Sequence, residues 1–464
     1  MICLSLKCKQ QISSHKQIPL CFYSECDSSD SRIYLKVVMS RSEEILDQEE
    51  NIPDIPSYNR SNAPNSAKIY IIGFLSILLI LVVKKFGDAQ RISFGIDFGS
   101  SQSCVSSYFA DEKESITLFC SNSVIPKKAI NNEREMESIN SFDKFCSKNI
   151  EDCIMYPKFI LSTSPKESSL QDILDIKIGE FTLESAIVEY FKYLKQNSEI
   201  YLNDSLLKSR FMSRKINKIV ISVPVEYTKS KVEFLKLCAK KSGMEVIRTI
   251  VEPTAASLGY GLFSADVKKG NKLDENKEFI LQENILVFDF GSGTLDISFT
   301  LKDGNMFTTM KNTGIVDFGG SNFTKCLASY LKEKINGLDG LRDDELFEIA
   351  EEKKIEACNS KNEIYDLFVD KCDYLYKRIN KPLDYLILQT GLDKSQFNYI
   401  VMTGGASLMP GSKQFLQNYF GPEVPIFHEN PITAVASGNA TMASVINDSS
   451  PVIFSAQDFT NKIN

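Results

Sequence analysis

The chain has 464 residues, 43% hydrophobic and 24% charged, and its 53 lysines and arginines face 60 acidic residues for a net charge of −7. At about 150 residues per domain this is room for roughly three domain-sized units, and the balance argues against wholesale disorder, a polytopic membrane protein and a nucleic-acid coat. With only two histidines, His15 and His428, a histidine-rich zinc site is nearly excluded, and a Ser-His-Asp triad would rest on His428 alone.

Residues 1–66 show no sustained helical or strand periodicity and turn acidic from Glu43 to Asp54, so a disordered extension is expected there, with Met39 as an alternative initiator. An apolar run, Ile69–Val83, follows between Lys68 and Lys84-Lys85. Fifteen residues rise roughly 22 Å, short of a hydrocarbon core of about 30 Å, but flanking lysines can snorkel. Three readings stand for 67–85: a transmembrane or signal-anchor helix, which is favoured, a secretory signal, or a buried helix. No small-x-small cleavage site follows at once. From Arg91 onward short β-rich runs (Ile92–Ile96, Lys218–Val223, Asn284–Phe288, Asn398–Met402) alternate with helical stretches such as Glu184–Lys195 and Lys229–Ser242. That pattern predicts sheets covered by helices, an α/β fold, with a charged, mostly helical region over 336–388.

Twelve cysteines scatter along the chain without a Cys-x-x-Cys pair. Four (Cys3, Cys8, Cys21, Cys26) fall in the extension. Metal and redox-motif readings therefore gain little, most of the other eight are expected to be small buried apolar residues, and the count does not fix the redox compartment.

One internal repeat carries chemistry. Ile96-Asp97-Phe98-Gly99-Ser100 recurs as Phe288-Asp289-Phe290-Gly291-Ser292, each after an apolar strand and before a second strand-like run. A turn rich in Gly, Ser and Thr exposes backbone N–H groups to phosphate oxygens. An aspartate ending the preceding strand repels phosphate by itself, but with Mg²⁺ and its water shell between them it becomes part of the cage. One such copy is most simply an ordinary hairpin. Two in matched settings point to duplicated lobes that clamp a nucleotide from both sides. Thr403-Gly404-Gly405-Ala406, after a third strand, would let backbone approach a base or ribose.

Gly95 to Ser101, Phe288-Asp289-Phe290-Gly291-Ser292-Gly293-Thr294-Leu295-Asp296, Val223-Pro224, Val251-Glu252-Pro253-Thr254-Ala255-Ala256, Gly259-Tyr260-Gly261, Phe318-Gly319-Gly320, Gly404-Gly405 and Asn430-Pro431 occur in that family's order; together they resemble the ATPase domain of the 70-kilodalton heat-shock chaperones over about 91–447. The resemblance implies an actin-like ATPase fold, lobe I about 91–280 and lobe II about 281–447, with ATP or ADP and Mg²⁺ in the cleft. It implies that Asp97 and Asp289 hold Mg²⁺ through water, and that Gly99, Ser100, Ser101, Gly291, Gly293, Thr294, Gly319 and Gly320 surround the phosphates. Glu252 would order the metal's waters, Asp296 would lie near the attacking water, and Lys158 would orient that water and stabilise γ-phosphate charge. Glu351 and Lys354 match an adenosine-contacting helix, beside Gly404 and Gly405.

The departures are specific. Ser292 replaces a glycine in the second loop, Leu408 stands where the family usually has arginine, and Ala406 and Ile432 replace a polar and an acidic residue. The segments 98–184 and 359–388 are compressed. Beyond Ile446 the 18 residues Asn447–Asn464 are too few for a peptide-binding β-sandwich of about 100 residues. Hydrophobic segment plus ATPase core resembles the microsomal stress-protein ATPase-core type, which implies the endoplasmic reticulum membrane with the domain in the lumen. Lysine and arginine counts around 67–85 lean faintly toward the cytosol instead. The expectation is a membrane-associated, Mg²⁺-dependent ATPase acting as an ATP-switched co-chaperone or adaptor, with J-domain proteins, exchange factors or other chaperones as partners and no nucleic acid. Two alternatives remain open: a nucleotide-binding sensor or scaffold without meaningful hydrolysis, and more weakly an actin-fold small-molecule kinase.

Overall fold

The computed structural model describes residues 20–26, 33–39, 92–109, 114–130, 141–206, 215–262, 282–304, 306–334, 341–359 and 363–447. Residues 1–80 and 81–464 form two separate units. In the first, β1 (Leu20–Cys26) and β2 (Ile33–Met39) pair antiparallel, Leu20 opposite Met39. This corrects the expectation of an extension without strands: aromatic and β-branched residues such as Phe22, Tyr23, Tyr34, Val37 and Val38 favour pairing even where alternation is poor. The run 67–85 and the tail 448–464 lie outside the described residues. Among the described residues no helix is long and apolar enough to cross a membrane.

In the second unit β3 (Ile92–Asp97), β4 (Gln102–Phe109) and β5 (Glu114–Asn122) form an antiparallel meander. Small ribbons follow, β6 (Val124–Pro126) with β7 (Cys153–Met155) and β8 (Lys177–Ile178) with β9 (Phe181–Thr182). The chain then returns through β10 (Lys218–Val223), parallel to β3, and β11 (Glu245–Val251), parallel to β10. The sheet order is β11-β10-β3-β4-β5. Its helices are α1 (Phe142–Cys146), α2 (Pro157–Thr163), α3 (Leu170–Leu174), α4 (Leu183–Leu206), α5 (Lys229–Lys241) and α6 (Glu252–Gly259).

A second sheet repeats the plan. β12 (Gln282–Phe290), β13 (Leu295–Asp303) and β14 (Met306–Ile315) form the meander, and β15 (Tyr399–Thr403) and β16 (Ile426–Phe427) add in parallel, giving β16-β15-β12-β13-β14. Strand for strand the order and directions match the first sheet, which is the duplication that the repeated Asp-x-Gly-Ser turns implied. The accompanying helices are α7 (Gly320–Lys334), α8 (Asp343–Asn359), α9 (Glu363–Cys372), α10 (Lys377–Thr390), α11 (Ser412–Phe420) and α12 (Ala434–Asn447).

The two-residue period of a strand sorts its side chains between cores. On β10, Ile219 and Ile221 pack with Tyr190, Phe191 and Leu194 of α4, whereas Val220 faces the opposite way. On β12, Leu286, Phe288 and Phe290 join Phe318, Phe323 and Phe368, whereas Ile285 and Val287 face the other side. Val220, Ile285 and Val287 thus meet Ala255 and Leu258 of α6 and Val435 and Met442 of α12 in a third core shared by both lobes. Helix α12 comes from the second half of the sequence, yet it lies on β3: a Cβ on Gly95 would come within 2.2 Å of the Ala440 nitrogen. Asn439 Nδ2 donates to the Ile96 carbonyl and to Ser222 Oγ.

Six cysteines pair as Cys104–Cys120, Cys146–Cys153 and Cys326–Cys372. This overturns the expectation that most were isolated apolar fillers. Cys104 and Cys120 face each other across β4 and β5, and Cys326–Cys372 joins α7 to the end of α9. Cys238, buried, and Cys358 remain as free thiols among the described residues.

Candidate functional site

Both acidic turns sit at the same end of their sheets. Asp97 ends β3 opposite Cys104, and Asp289 lies near the end of β12 opposite Asp296 and beside Thr403. In the first turn the Gly99 N–H donates to Ser103 Oγ and the Gly99 carbonyl accepts from Ser123 Oγ. A Cβ on Gly99 would fall 2.0 Å from the Gln102 carbonyl, so the turn closes only with glycine. In the second turn the Gly291 N–H donates to the Thr294 carbonyl. Gly319 and Gly320 dock on it, through Gly320 N–H to the Gly291 carbonyl at 3.0 Å and Ser321 N–H to the Ser292 carbonyl at 2.7 Å. Gly404, with φ of 83°, backs onto Asp289: a Cβ there would approach Oδ1 to 2.7 Å. Gly293 and Gly405 leave open space where a side chain would stand.

The two turns meet. Ser101 Oγ and Ser292 Oγ are in hydrogen-bond contact across the cleft, so the serine replacing a family glycine is the second loop's link to the first. Lys158 is buried near the start of α2, and its Nζ donates to Glu252 Oε1 at 2.6 Å, at the start of α6. Glu226, Glu252, Asp289, Asp296, Ser298 and Asn312 line a common cleft. Thr294, expected at phosphate, eases the ionisation of Asp296 instead. Glu226 was absent from the sequence reading; the available signal was its place just past the carboxyl end of a parallel strand, where α/β folds put their sites.

Carboxylates outnumber cations here, and their acidities reflect it. Burial raises Asp97 to about 7, Lys158 pulling it down and Glu252 pushing it up. Burial, then the charges of Glu252, Asp296 and Asp97, hold Asp289 well above the usual carboxylate range. Asp296 stands at about 7 through desolvation in the cleft and the charges of Glu226 and Glu252. Lys158 is held protonated: burial disfavours its charge, but Glu252 and Asp97 more than offset that. One buried ammonium among five carboxylates leaves an excess of negative charge that a divalent cation suits. No three His, Cys, Asp or Glu among the described residues converge tightly enough to ligate a metal directly. A carboxylate-rich site of this kind fits a hydrated divalent cation, which Asp97 and Asp289 would face.

These acidities set a pH dependence. A carboxyl at about 7 when folded and about 4 when unfolded keeps its proton preferentially in the folded state, so its contribution is present at low pH and lost as pH rises through 7. The ligand-free protein is expected to melt at progressively lower temperature between pH 5.5 and 8, and Mg²⁺ with ATP to flatten that decline. A fluorimetric melting series with and without nucleotide checks both.

On the far side, Glu351 and Lys354 project from α8. Lys354 is buried, and its Nζ donates to Glu351 Oε2 (2.7 Å), Thr324 Oγ1 (2.8 Å) and the Gly320 carbonyl (3.2 Å), while Thr324 Oγ1 donates to the same Glu351 oxygen at 2.5 Å. Lys354 thus anchors the Gly319-Gly320 turn to α8. Ala406 adjoins it, within 3.4 Å of where a Gly320 Cβ would stand. Of the sequence-derived site residues, Glu252, Asp289 and Asp296 line the cleft, Lys158 is tied to it through Glu252, and Ser101, Gly320, Lys354 and Glu351 are joined by hydrogen bonds to one another or to the second turn. The structure adds Glu226 and Thr324, whose positions depend on tertiary contacts.

Paired sheets of identical order with acidic, glycine-rich turns meeting at a cleft have the layout of an actin-like ATP-binding domain. A family model described as Hsp70 protein matches residues 93–365 and 365–458, and the chain belongs to that family. The chaperone protein DnaK of Deinococcus proteolyticus is similar, 29% identical over 265 residues that make up 51% of this chain and 40% of that protein. The chaperone protein dnaK of Cyanidioschyzon merolae is 30% identical over 266 residues, 51% of this chain and 41% of that protein. The chain thus spans about two fifths of the length of these relatives. The described core of residues 92–447 is an Hsp70 chaperone-type ATP-binding domain.

Proposed function

We propose that the protein binds and slowly hydrolyses ATP with Mg²⁺ and acts as an ATP-switched co-chaperone or adaptor in protein folding. The observation that carries this reading is the meeting of the turns after Asp97 and Asp289 beside the buried Lys158–Glu252 pair. Backbone N–H groups of 100–101 and 292–294 would receive phosphate oxygens, and Mg²⁺, when bound, would neutralise phosphate and carboxylate charge together. Lys158 can orient a water toward the γ-phosphate and offset its charge, while Glu252 fixes the lysine's direction. Positioning and charge neutralisation supply most of the rate in phosphoryl transfer. Because α6 and α12 are shared by both lobes, closure around ATP would alter surfaces that J-domain proteins, exchange factors or other chaperones read.

The test is Mg²⁺-dependent ATP hydrolysis by the full chain against Lys158→Ala. Hydrolysis is expected to fall about 100-fold with ATP still bound, the scale of losing one transition-state charge contact. Equal rates in both proteins, with binding retained, would leave a nucleotide sensor without hydrolysis.

The same reading places the protein at the endoplasmic reticulum membrane, anchored by 67–85 with the ATP-binding domain lumenal. Three disulfides support an oxidising compartment. An epitope at Asn464 should resist protease in intact vesicles; its digestion without detergent rejects lumenal placement.

A further inference from the structure

The segment that delivers Lys158 is held at both ends, by different means. Beyond Lys158, the buried Lys231 of α5 donates from Nζ to the carbonyls of Ser162 (2.9 Å) and Ser164 (2.8 Å), at the end of α2. Ahead of Lys158 stands β7, which pairs only with β6 among the described residues. That ribbon sets Val124 opposite Met155, Ile125 opposite Ile154 and Pro126 opposite Cys153, and Pro126 has no N–H to give to it. An isolated two-stranded ribbon is marginal in water. Yet the chain leaves β7 by a costly route. Tyr156, at φ 53° and ψ 55°, is the single non-glycine residue with positive φ among the described residues, and such strain persists only where the surroundings impose it. Its N–H donates to the Ser123 carbonyl at 2.8 Å, and Lys158 follows two residues on.

Cys153 supplies the missing support. It is buried and bonded to Cys146, the last residue of α1. Helix α1 is five residues long, but the rest of lobe I grips it. The Phe142 ring stacks on Tyr193 of α4 with centroids 3.8 Å apart, and the Phe142 N–H donates to the Tyr193 hydroxyl at 3.2 Å. Asp143 Oδ1 accepts from Ser121 Oγ (2.8 Å) and from the Asn122 N–H (3.1 Å), both on β5. Through the disulfide, α4 and β5 therefore hold the short strand that ends just before the Tyr156 turn. A separation of seven residues between the two cysteines leaves little slack in the loop they close.

We propose that the Cys146–Cys153 disulfide is a positioning element for ATP hydrolysis: it fixes β7 and the turn at Tyr156, and so keeps Lys158 against Glu252. Neither cysteine lines the cleft, and the two acidic turns are held by contacts of their own. The bond therefore acts on the hydrolytic step, where a small misplacement is expensive, and not on nucleotide affinity. This inference rests on the nucleotide reading of the cleft.

The experiment compares the full chain with two variants lacking the bond, Cys146→Ala with Cys153→Ala and Cys146→Ser with Cys153→Ser. It reads ATP turnover, binding of methylanthraniloyl-ADP with Mg²⁺, and amide hydrogen exchange. The expected kcat falls about tenfold in both variants, while the Kd for the probe stays within about twofold of the parent. Exchange should quicken over 153–163 and keep the parent rate over 183–203 and 285–303. Cys326→Ala with Cys372→Ala, which removes a disulfide from lobe II, should leave exchange over 153–163 unchanged. A kcat within about twofold of the parent in both variants overturns the proposal, as does unchanged exchange over 153–163. Exchange that quickens equally across lobe I marks a general staple and also overturns it, as does a peptide map of the parent without the Cys146–Cys153 link. Failure of the parent to hydrolyse ATP overturns the hydrolytic reading instead, and the exchange comparison then decides the positioning role by itself.

Discussion

Asp289→Asn is expected to weaken Mg²⁺-dependent ATP binding by about 100-fold or more while making the ligand-free protein more heat-stable. The first half follows from charge. Asp289 lies near the end of β12, with Gly404 packed against its carboxylate, and an amide retains the shape but not the attraction for a hydrated divalent cation. Losing one charge-assisted contact of about 3 kcal/mol corresponds to roughly that factor in affinity. The second half follows from repulsion. Burial and the charges of Glu252, Asp296 and Asp97 hold the Asp289 pKa well above the usual carboxylate range. Folding at pH 8 must therefore either keep the group charged or give it a proton, and the neutral amide avoids that cost. Calorimetric titration and melting curves at pH 8 read the two effects separately. A variant that binds normally, or that melts lower without nucleotide, contradicts this electrostatic account.

Gly438→Ala is expected to destabilise the fold by on the order of 3 kcal/mol, as overpacking of a tight core does. The added Cβ would stand 1.7 Å from the Ala255 carbonyl oxygen and 2.9 Å from the Gly259 nitrogen, all rigid backbone of α6. No rotamer relieves that contact, so α6 and α12 must part. A Cβ on Gly259 would likewise fall 1.9 Å from the Ala434 carbonyl oxygen, which shows how closely the helices cross. Because α6 begins at Glu252, its displacement also disturbs the partner of Lys158. A melting temperature lowered by several degrees and weakened ATP binding are expected together. Unchanged melting would mean that the helices do not cross as described.

The sequence carried the site better than the scaffold around it. The repeated Asp-x-Gly-Ser turns were legible because phosphate chemistry restricts which residues can occupy them, and their duplication forecast two sheets of the same order. Strands β10 and β12 were legible as apolar runs, since both faces of each are buried. The cysteine pairs were not: separations of 16, 7 and 46 residues form no motif, and only the register of β4 on β5 or the packing of α9 on α7 brings the sulfurs together. Glu226 was missed for a related reason: its neighbours in the cleft come from distant segments.

A crystal structure grown with Mg²⁺ and ADP tests the central claim most directly. The account predicts the diphosphate between residues 99–101 and 291–294, with the metal's waters turned toward Asp97 and Asp289. Nucleotide bound elsewhere, or the two acidic turns opening onto separate surfaces, would contradict it.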